Sequence, residues 1–368
     1  MKGCLRVREK PSVYEVARLA GVSTATVSRV LAGYERVLPR TRDKVLTAVT
    51  ELGYVPNGAA QDLAARRTGV LGLCFPDLSV PDPGFPDLDN EDGDAAYWYD
   101  EVIRGMERAA RRRGYAVLIA ASHHRDDSGL VLSIAGRCDG LVVLARTAPL
   151  AMIEHVATRI PVVLLATEEG GGRPDRAIDH LAVANETGAY QVTAHLAGVH
   201  GYTGISFIAG PPDSPDSARR LDGFRRATAG LASQGPSEGR SMPVYHGDFT
   251  TAGGRRVAER IIAAGRVPRA LVCANDQTAI GVMAALQQAG LNVPGDVAVT
   301  GFDGIRLGRH LHPSLTTVVQ PMAALGDTAV ALLTDRFRDP APPGLTLPRR
   351  TVELPVRLEL RGSCGCAP

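Results

Sequence analysis

From Val70 onward, short apolar runs alternate with segments of helical length: "VLGLCF", "AVLIAA", "GLVVLA" and "PVVLLA", then again "GISFIAG", "ALVCAND" and "DVAVTGF". An unbroken apolar run of this length suits a strand buried on both faces, and strands separated by helices join as parallel crossovers with helices over the sheet. The theme runs twice, so residues 70–362 are expected to form two successive parallel α/β lobes, with 363–368 as a short tail. Asp77 to Asp100 interrupts the first series with Pro, Gly and acid. Its "DLDNEDGD" suggests a calcium loop, but setting Gly93 at the required glycine puts Leu88 at the first ligand position, so a solvated acidic loop is the better reading.

The first 68 residues are different in kind. They carry a net +6 and the remainder −4, within a chain of 368 residues whose total is +2. A basic head on a mildly acidic body makes the head the candidate for phosphate. Ser12 and Glu15 have the spacing of a capping box, so a helix is expected to start at Val13 and stop before Gly21. Ser23 can cap a second helix reaching about Ala32; its Val27, Val30 and Leu31 share an inward face and turn Thr24, Ala25, Ser28 and Arg29 outward. A third helix runs from about Pro39 to Leu52 and ends at Gly53. A small residue in the turn, a buried apolar face and polar groups at the start of the second helix are what a helix-turn-helix needs. The expected organisation is an all-α headpiece over 12–56, a hinge helix and linker over 57–69, and the two-lobed core.

The segments "VYEVARLAGVSTATVSRVLAG", "TRDKVLTAVTELGYVPN" and "AAQDLA" resemble the headpiece and hinge of the lac repressor (LacI/GalR) family of bacterial transcription regulators. The resemblance implies that Thr24, Ala25 and Arg29 read the major groove, with Ser28 on the same face. Arg29 has the donors to hold guanine O6 and N7 together, Thr24 can donate or accept, and Ala25 offers a methyl contact. It further implies that Asn57, Ala60 and Leu63 belong to the DNA-binding hinge, with Leu63 as a wedge entering a central base step from the minor groove. A linker leucine packed on the body is the alternative for Leu63. The implied partner is a double-stranded operator, near-palindromic with a central CpG-type step, bound by a homodimer with strong salt dependence. The C-terminus carries no leucine heptad, so a dimer rather than a tetramer is expected.

The body is similar to the periplasmic-binding-protein fold, which closes two lobes around a small molecule at the carboxyl ends of the strands. By that resemblance the effector site comprises Arg220 in "SARRLDGF", Phe249 in "HGDFT", Asn275 in "CANDQ", Asp303 in "TGFDG", Gln320, and the aromatic run Tyr97, Trp98 and Tyr99. Arginine suits paired hydroxyls or a carboxylate, an aspartate accepts from adjacent hydroxyls, and a ring covers a sugar's C–H face or a purine. Plain core packing remains open for Phe249, and Asp276 reads as a helix cap rather than a ligand contact. Gly304 stands where the family often has a second acid.

These residues point to a ligand-responsive regulator, a repressor of a carbohydrate-utilisation operon, with a sugar as the expected effector and a nucleoside or purine as the alternative. A sugar-binding receptor without gene regulation would fit the body alone, but it leaves the head unexplained. Neither G-x-x-x-x-G-K-[ST] nor H-E-x-x-H occurs, so no enzyme and no cofactor is expected. His123 and His124 lack metal-ligand spacing. Cys364 and Cys366 form a C-x-C with no second cysteine pair, which reads as a frayed tail and not a metal site. With no apolar run long enough to span a bilayer and no apolar region behind the charged "MKGCLRVREK", no membrane partner is expected, and the protein is placed in the cytoplasm at the nucleoid.

Overall fold

A computed structural model of the chain describes residues 11–31, 33–34, 36–55, 67–76, 96–122, 127–166, 178–232, 243–338 and 347–367. The hinge positions Asn57, Ala60 and Leu63, most of the acidic loop, and His123 and His124 lie outside the described residues. Residues 1–68 and 69–368 form separate compact units. Among the described residues no helix is long and apolar enough to cross a membrane.

The head is built on α1 (Val13–Ala20), α2 (Thr24–Leu31) and α3 (Pro39–Leu52). At the start of α1 the Glu15 carboxylate accepts from the Ser12 backbone N–H at 2.7 Å and from its hydroxyl at 3.0 Å. Those bonds hold the Glu15 carboxyl below its ordinary range. Gly21 closes α1 at φ 68°, a left-handed turn that glycine adopts without steric cost. Val16, Ala17, Ala20, Val27, Val30, Val45 and Ala48 bury the inward faces of all three helices.

The first lobe of the body contains β1 (Val70–Pro76), α4 (Ala96–Arg112), β2 (Ala116–Ser122), α5 (Ser128–Ala135), β3 (Gly140–Leu144), α6 (Leu150–Val156), β4 (Val162–Leu165) and β5 (Ile178–Val183). The chain then crosses to the second lobe: α7 (Asn185–Gly198), β6 (Ile205–Ala209), α8 (Pro215–Ala232), β7 (Val244–His246), α9 (Thr251–Ala263), β8 (Ala270–Cys273), α10 (Asp276–Gln288), β9 (Ala298–Asp303) and β10 (Thr316–Val319). It returns through α11 (Met322–Arg338) and β11 (Thr351–Leu354) and crosses a third time into β12 (Arg357–Glu359). The sheets order as β11-β5-β4-β3-β1-β2 and β12-β10-β9-β8-β6-β7, parallel throughout except for β12. Strands β3, β4, β6, β8 and β9 are buried along their whole length, as their unbroken apolar runs require.

Two expectations need correcting. The tail is not frayed: it continues into a 3-10 turn at Gly362–Cys364, where Ser363 and Cys364 are fully buried. The Ser363 hydroxyl donates to the Val299 carbonyl at 2.6 Å and accepts from the Thr316 N–H at 2.8 Å, so backbone pairing of β9 and β10 holds the segment in place. Asp276 is also not the helix cap. Asn275 is, its Oδ1 accepting from the Thr278 N–H at 3.0 Å.

Candidate functional site

Strand order reverses between β1 and β3 in one sheet and between β6 and β8 in the other, and loops leaving carboxyl ends at such points diverge to leave a crevice. Here the two crevices face each other. The resulting cleft encloses about 650 Å³ of open space, its mouth included. Trp98, Tyr99, Arg220, Phe249, Asn275, Asp303 and Gln320 line it. Tyr97 does not: successive helical residues point about 100° apart, so three neighbours on α4 cannot all face one wall. Tyr97 is 44% exposed and borders a different depression beside Glu101 and Arg104.

Arg220 sits on the cleft side of α8 because α8 packs closely on α7 at Gly223, where a Cβ would fall 2.2 Å from the Glu186 carbonyl oxygen. From there its Nε donates to Asn185 Oδ1 at 2.8 Å and its Nη1 to the Ala274 carbonyl at 2.6 Å, with the guanidinium 3.9 Å over the Phe302 ring. Asp303 Oδ1 lies 3.5 Å from Nη1 and Asp216 Oδ2 4.0 Å from Nη2. Burial pushes the Asp216 and Asp303 carboxyls upward, and Arg220 only partly offsets it. Gln320 bridges the site. Its Nε2 donates to Asp303 Oδ1 at 2.5 Å, and its Oε1 accepts from Trp98 Nε1 at 3.4 Å.

Asp276 lies beneath this layer, accepting the Gly304 and Ile305 N–H groups, each at 2.8 Å, and the Thr317 hydroxyl at 2.5 Å. Burial, and then the Asp303 charge, push its carboxyl upward. It therefore fixes the turn that presents Asp303. Phe249 is held by Asn275, whose Nδ2 donates to its carbonyl at 2.8 Å, and by Gly210, where a Cβ would fall 2.3 Å from the ring. Tyr99 stacks on Phe75 at 4.7 Å and meets Trp98 edge to face at 5.3 Å.

Sequence reasoning missed Arg146, Asp216 and Gln277, which also line the cleft. Gln277 Nε2 is buried with no hydrogen-bond partner among the described residues. A backbone signal accompanies these residues: among the described residues, the non-glycine residues at positive φ are Arg146, Ala166, Phe249 and Asp303, and all four line the cleft. Such conformations cost about 1–3 kcal/mol each and persist where the surroundings enforce them, commonly at ligand sites.

In the head, Ser23 Oγ accepts from the Thr26 N–H at 3.2 Å and so caps α2. Ala25, Ser28 and Arg29 are exposed on the side turned away from Val27 and Val30, whereas Thr24, one turn before Val27, is half-buried. This arrangement leaves the start of α2 able to meet base edges.

Comparisons with known proteins agree with both units. The profile of "Bacterial regulatory proteins, lacI family" matches residues 12–57, and that of "Periplasmic binding protein-like domain" matches residues 193–364. Catabolite control protein A of Priestia megaterium is 32% identical over 96% of this chain and 98% of its own length. The HTH-type transcriptional repressor PurR of Vibrio parahaemolyticus is 31% identical over 89% of this chain and 92% of its own. Among solved structures, the lac repressor dimer bound to operator and the anti-inducer ONPF superposes with a TM-score of 0.77 at 26% identity, covering 97% of this chain and 99% of that one. The regulator CelR in complex with cellobiose gives 0.67 at 29% identity, covering 96% and 100%. The two-helix head, the two-lobed core and these full-length likenesses place the chain in the lacI family of bacterial regulatory proteins, as a ligand-responsive transcription regulator and not an enzyme.

Proposed function

We propose that the protein is a homodimeric repressor of carbohydrate-utilisation genes, acting at the nucleoid in the cytoplasm, whose grip on a near-palindromic operator is set by a sugar held between the lobes. The observation that carries the reading is the chemistry of the cleft. Its arginines, Arg146 and Arg220, are outnumbered by Asp213, Asp216 and Asp303, so it offers no net positive charge for a phosphate. It does offer an acceptor in Asp303 and an unpartnered donor in Gln277 Nε2, and a hydroxyl can serve both. The Trp98 and Phe249 rings suit the C–H face of a pyranose.

In this reading Thr24, Ala25, Ser28 and Arg29 contact the major groove, while Asn57, Ala60 and Leu63 form the minor-groove hinge at a central CpG-type step. Ligand closure shifts the dimer contact and thereby orders or releases the hinge, a coupling that is reciprocal. The kinship to a regulator solved in complex with cellobiose supports a sugar, and a nucleoside or purine, whose flat ring could also lie against Phe249, is the competing class.

Thermal shift of the purified protein against sugars, sugar phosphates, polyols, nucleosides and purines decides between them. A ligand at a hundred times its Kd adds about 2.7 kcal/mol, a shift of several degrees. A sugar hit supports the reading, and a purine hit alone overturns its effector class.

A further inference from the structure

Four side chains with no part in the function above meet at the far end of the second lobe. His195 lies in the last turn of α7, His200 follows in the loop leading to β6, Cys364 ends the 3-10 turn, and Cys366 comes two residues later. The cleft lies at the carboxyl ends of the strands. This cluster lies at their amino ends, beside the residues that lead into β6 and β10. The His195 and His200 Nε2 atoms are 3.2 Å apart. Cys366 Sγ lies 3.3 Å from His195 Nε2 and 3.4 Å from His200 Nε2, and Cys364 Sγ lies 3.9 Å from His195 Nε2. All four donor atoms fall within 4.8 Å of one another.

A tetrahedral zinc ion with bonds of about 2.0–2.1 Å to nitrogen and 2.3 Å to sulfur requires N–N edges of about 3.3 Å, N–S edges of about 3.6 Å and an S–S edge of about 3.8 Å. The N–N separation and the three N–S separations given above lie within a few tenths of an ångström of those values. Hydrogen bonding alone is a poor account of the cluster, because thiols are weak donors and acceptors and two imidazoles can share only one proton between facing nitrogens.

We infer that His195, His200, Cys364 and Cys366 form a structural zinc site that staples the C-terminal segment to the second lobe. Two thiolates neutralise the ion, and four protein ligands leave no open position for chemistry. The C-x-C spacing read alone argues against a metal, because the second ligand pair is the H-x4-H of His195 and His200, 164 residues upstream of the cysteines and joined to them only by the fold.

Neighbouring side chains hold the four ligands in place. Tyr202 stacks on His200 at 5.2 Å and donates to the Cys364 carbonyl at 3.2 Å. Arg269 lies over the Tyr202 ring and donates to its hydroxyl at 3.2 Å. The Thr316 hydroxyl lies 3.1 Å from Cys364 Sγ, where it can donate to a thiolate. Gly365, between the two cysteines, has φ 104°, and a Cβ there would fall 3.0 Å from the Tyr202 hydroxyl and 3.3 Å from the His200 ring. The turn that aims both sulfurs at the histidines therefore requires glycine.

The test uses the full-length chain, purified, stripped by a chelator under reducing conditions and titrated with Co²⁺. The expected result is one Co²⁺ per chain, with the visible bands of a tetrahedral site carrying thiolates, displaced by Zn²⁺, and a melting temperature several degrees higher with Zn²⁺ than without. Cys366→Ser and His200→Gln, both at half-buried positions, should each weaken uptake by roughly 100-fold or more, the upper end of what outer-shell changes alone cost. Cys364→Ser alters a fully buried group and is not needed for the decision. Absence of tetrahedral bands, uptake unchanged in both variants, or a metal-free native chain carrying a Cys364–Cys366 disulfide by mass would overturn the assignment. Operator and sugar binding are separate readouts, and their failure would bear on the proposed function alone.

Discussion

Arg146 Nε lies 2.9 Å from Asp213 Oδ2, joining the loop after β3 in one lobe to the loop after β6 in the other. The arginine is nearly buried, whereas Asp213 is 42% exposed at the cleft mouth. A pair so wetted on one side contributes about 0–1 kcal/mol. Asp213→Asn should therefore raise the Kd of the sugar found by thermal shift by no more than about fivefold, leaving operator affinity without sugar unchanged. Calorimetric titration measures this, and a loss of a hundredfold would mean that Asp213 touches the ligand itself.

Arg220 ties α8 to α7 and to the loop after β8 while facing two acids. Arg220→Ala should abolish the response to effector and spare operator binding. Removing one member of a buried charge cluster costs about 3–5 kcal/mol, so the melting temperature should fall as well. Arg220→Lys keeps the charge but cannot donate at once to Asn185 and the Ala274 carbonyl, and should fall between the two. Gel-shift titration with and without effector separates the effects; an alanine variant responding at wild-type effector concentrations would show that the cleft is not the site.

Asp303 titrates above its ordinary range because burial outweighs the Arg220 and Gln320 contacts. A hydroxyl ligand donates to the ionised form. Acidification therefore protonates the empty site first, and affinity falls with pH, approaching tenfold per unit below the raised pKa. The fall should begin well above the ordinary aspartate value of about 3.9. Asp303→Asn should bind weakly and lose this slope. A wild-type Kd flat from neutrality down to pH 5 would remove Asp303 from ligand contact.

Periodicity and capping rules reach the head and the strands because they concern residues adjacent in sequence: Ser12 with Glu15, Gly21, the run from Gly140 to Leu144. The cleft was legible only where a recognisable segment carried its residue, as with Arg220 and Asp303. Arg146 and Gln277 carry no such mark, and their roles follow from the backbone turn after β3 and from what packs over α10. Tyr97 shows the opposite limit, since a run of three aromatics names the helix but not its rotation. The His195, His200, Cys364 and Cys366 cluster depends on the return of the chain through β12, which no local spacing encodes.

Asp179, on β5, is buried against two arginines. It accepts from Arg336 Nη2 at 2.5 Å and from Arg350 Nη2 at 2.6 Å, fastening α11 and the approach to β11 onto the first sheet. Burial pushes its carboxyl up, but the hydrogen bonds from Arg336 and Arg350 prevail and hold it below the ordinary range. Its folded pKa is depressed, so its stabilisation is present above the unfolded value of about 3.9 and is lost as pH falls through the folded one. Asp179→Asn should cost about 3–5 kcal/mol near neutrality, discounted for the partial exposure of Arg350, and the deficit should shrink only in strong acid. Denaturant unfolding at pH 7 and in strong acid, below the depressed folded pKa, measures both. An equal deficit at the two pH values would assign the loss to packing rather than charge.

Arg29 is exposed in the last turn of α2, across the helix from the buried Val27 and Val30 that fix its direction. Because Val27 and Val30 pack into the head, the helix cannot rotate to bring another residue to the same base. Arg29→Ala should thus remove discrimination at one base pair per half-site, worth about 1–3 kcal/mol, and leave the head folded. A phosphate contact would behave differently: its loss weakens all sequences alike and lowers the salt dependence of binding. The measurement is selection of operators from a randomised duplex by the wild type and the variant, followed by salt titration of each on its best site. Relaxed preference confined to one symmetric pair of positions, with the salt slope nearly intact, is the expected outcome. A uniform loss with a shallower slope would reassign Arg29 to the DNA backbone.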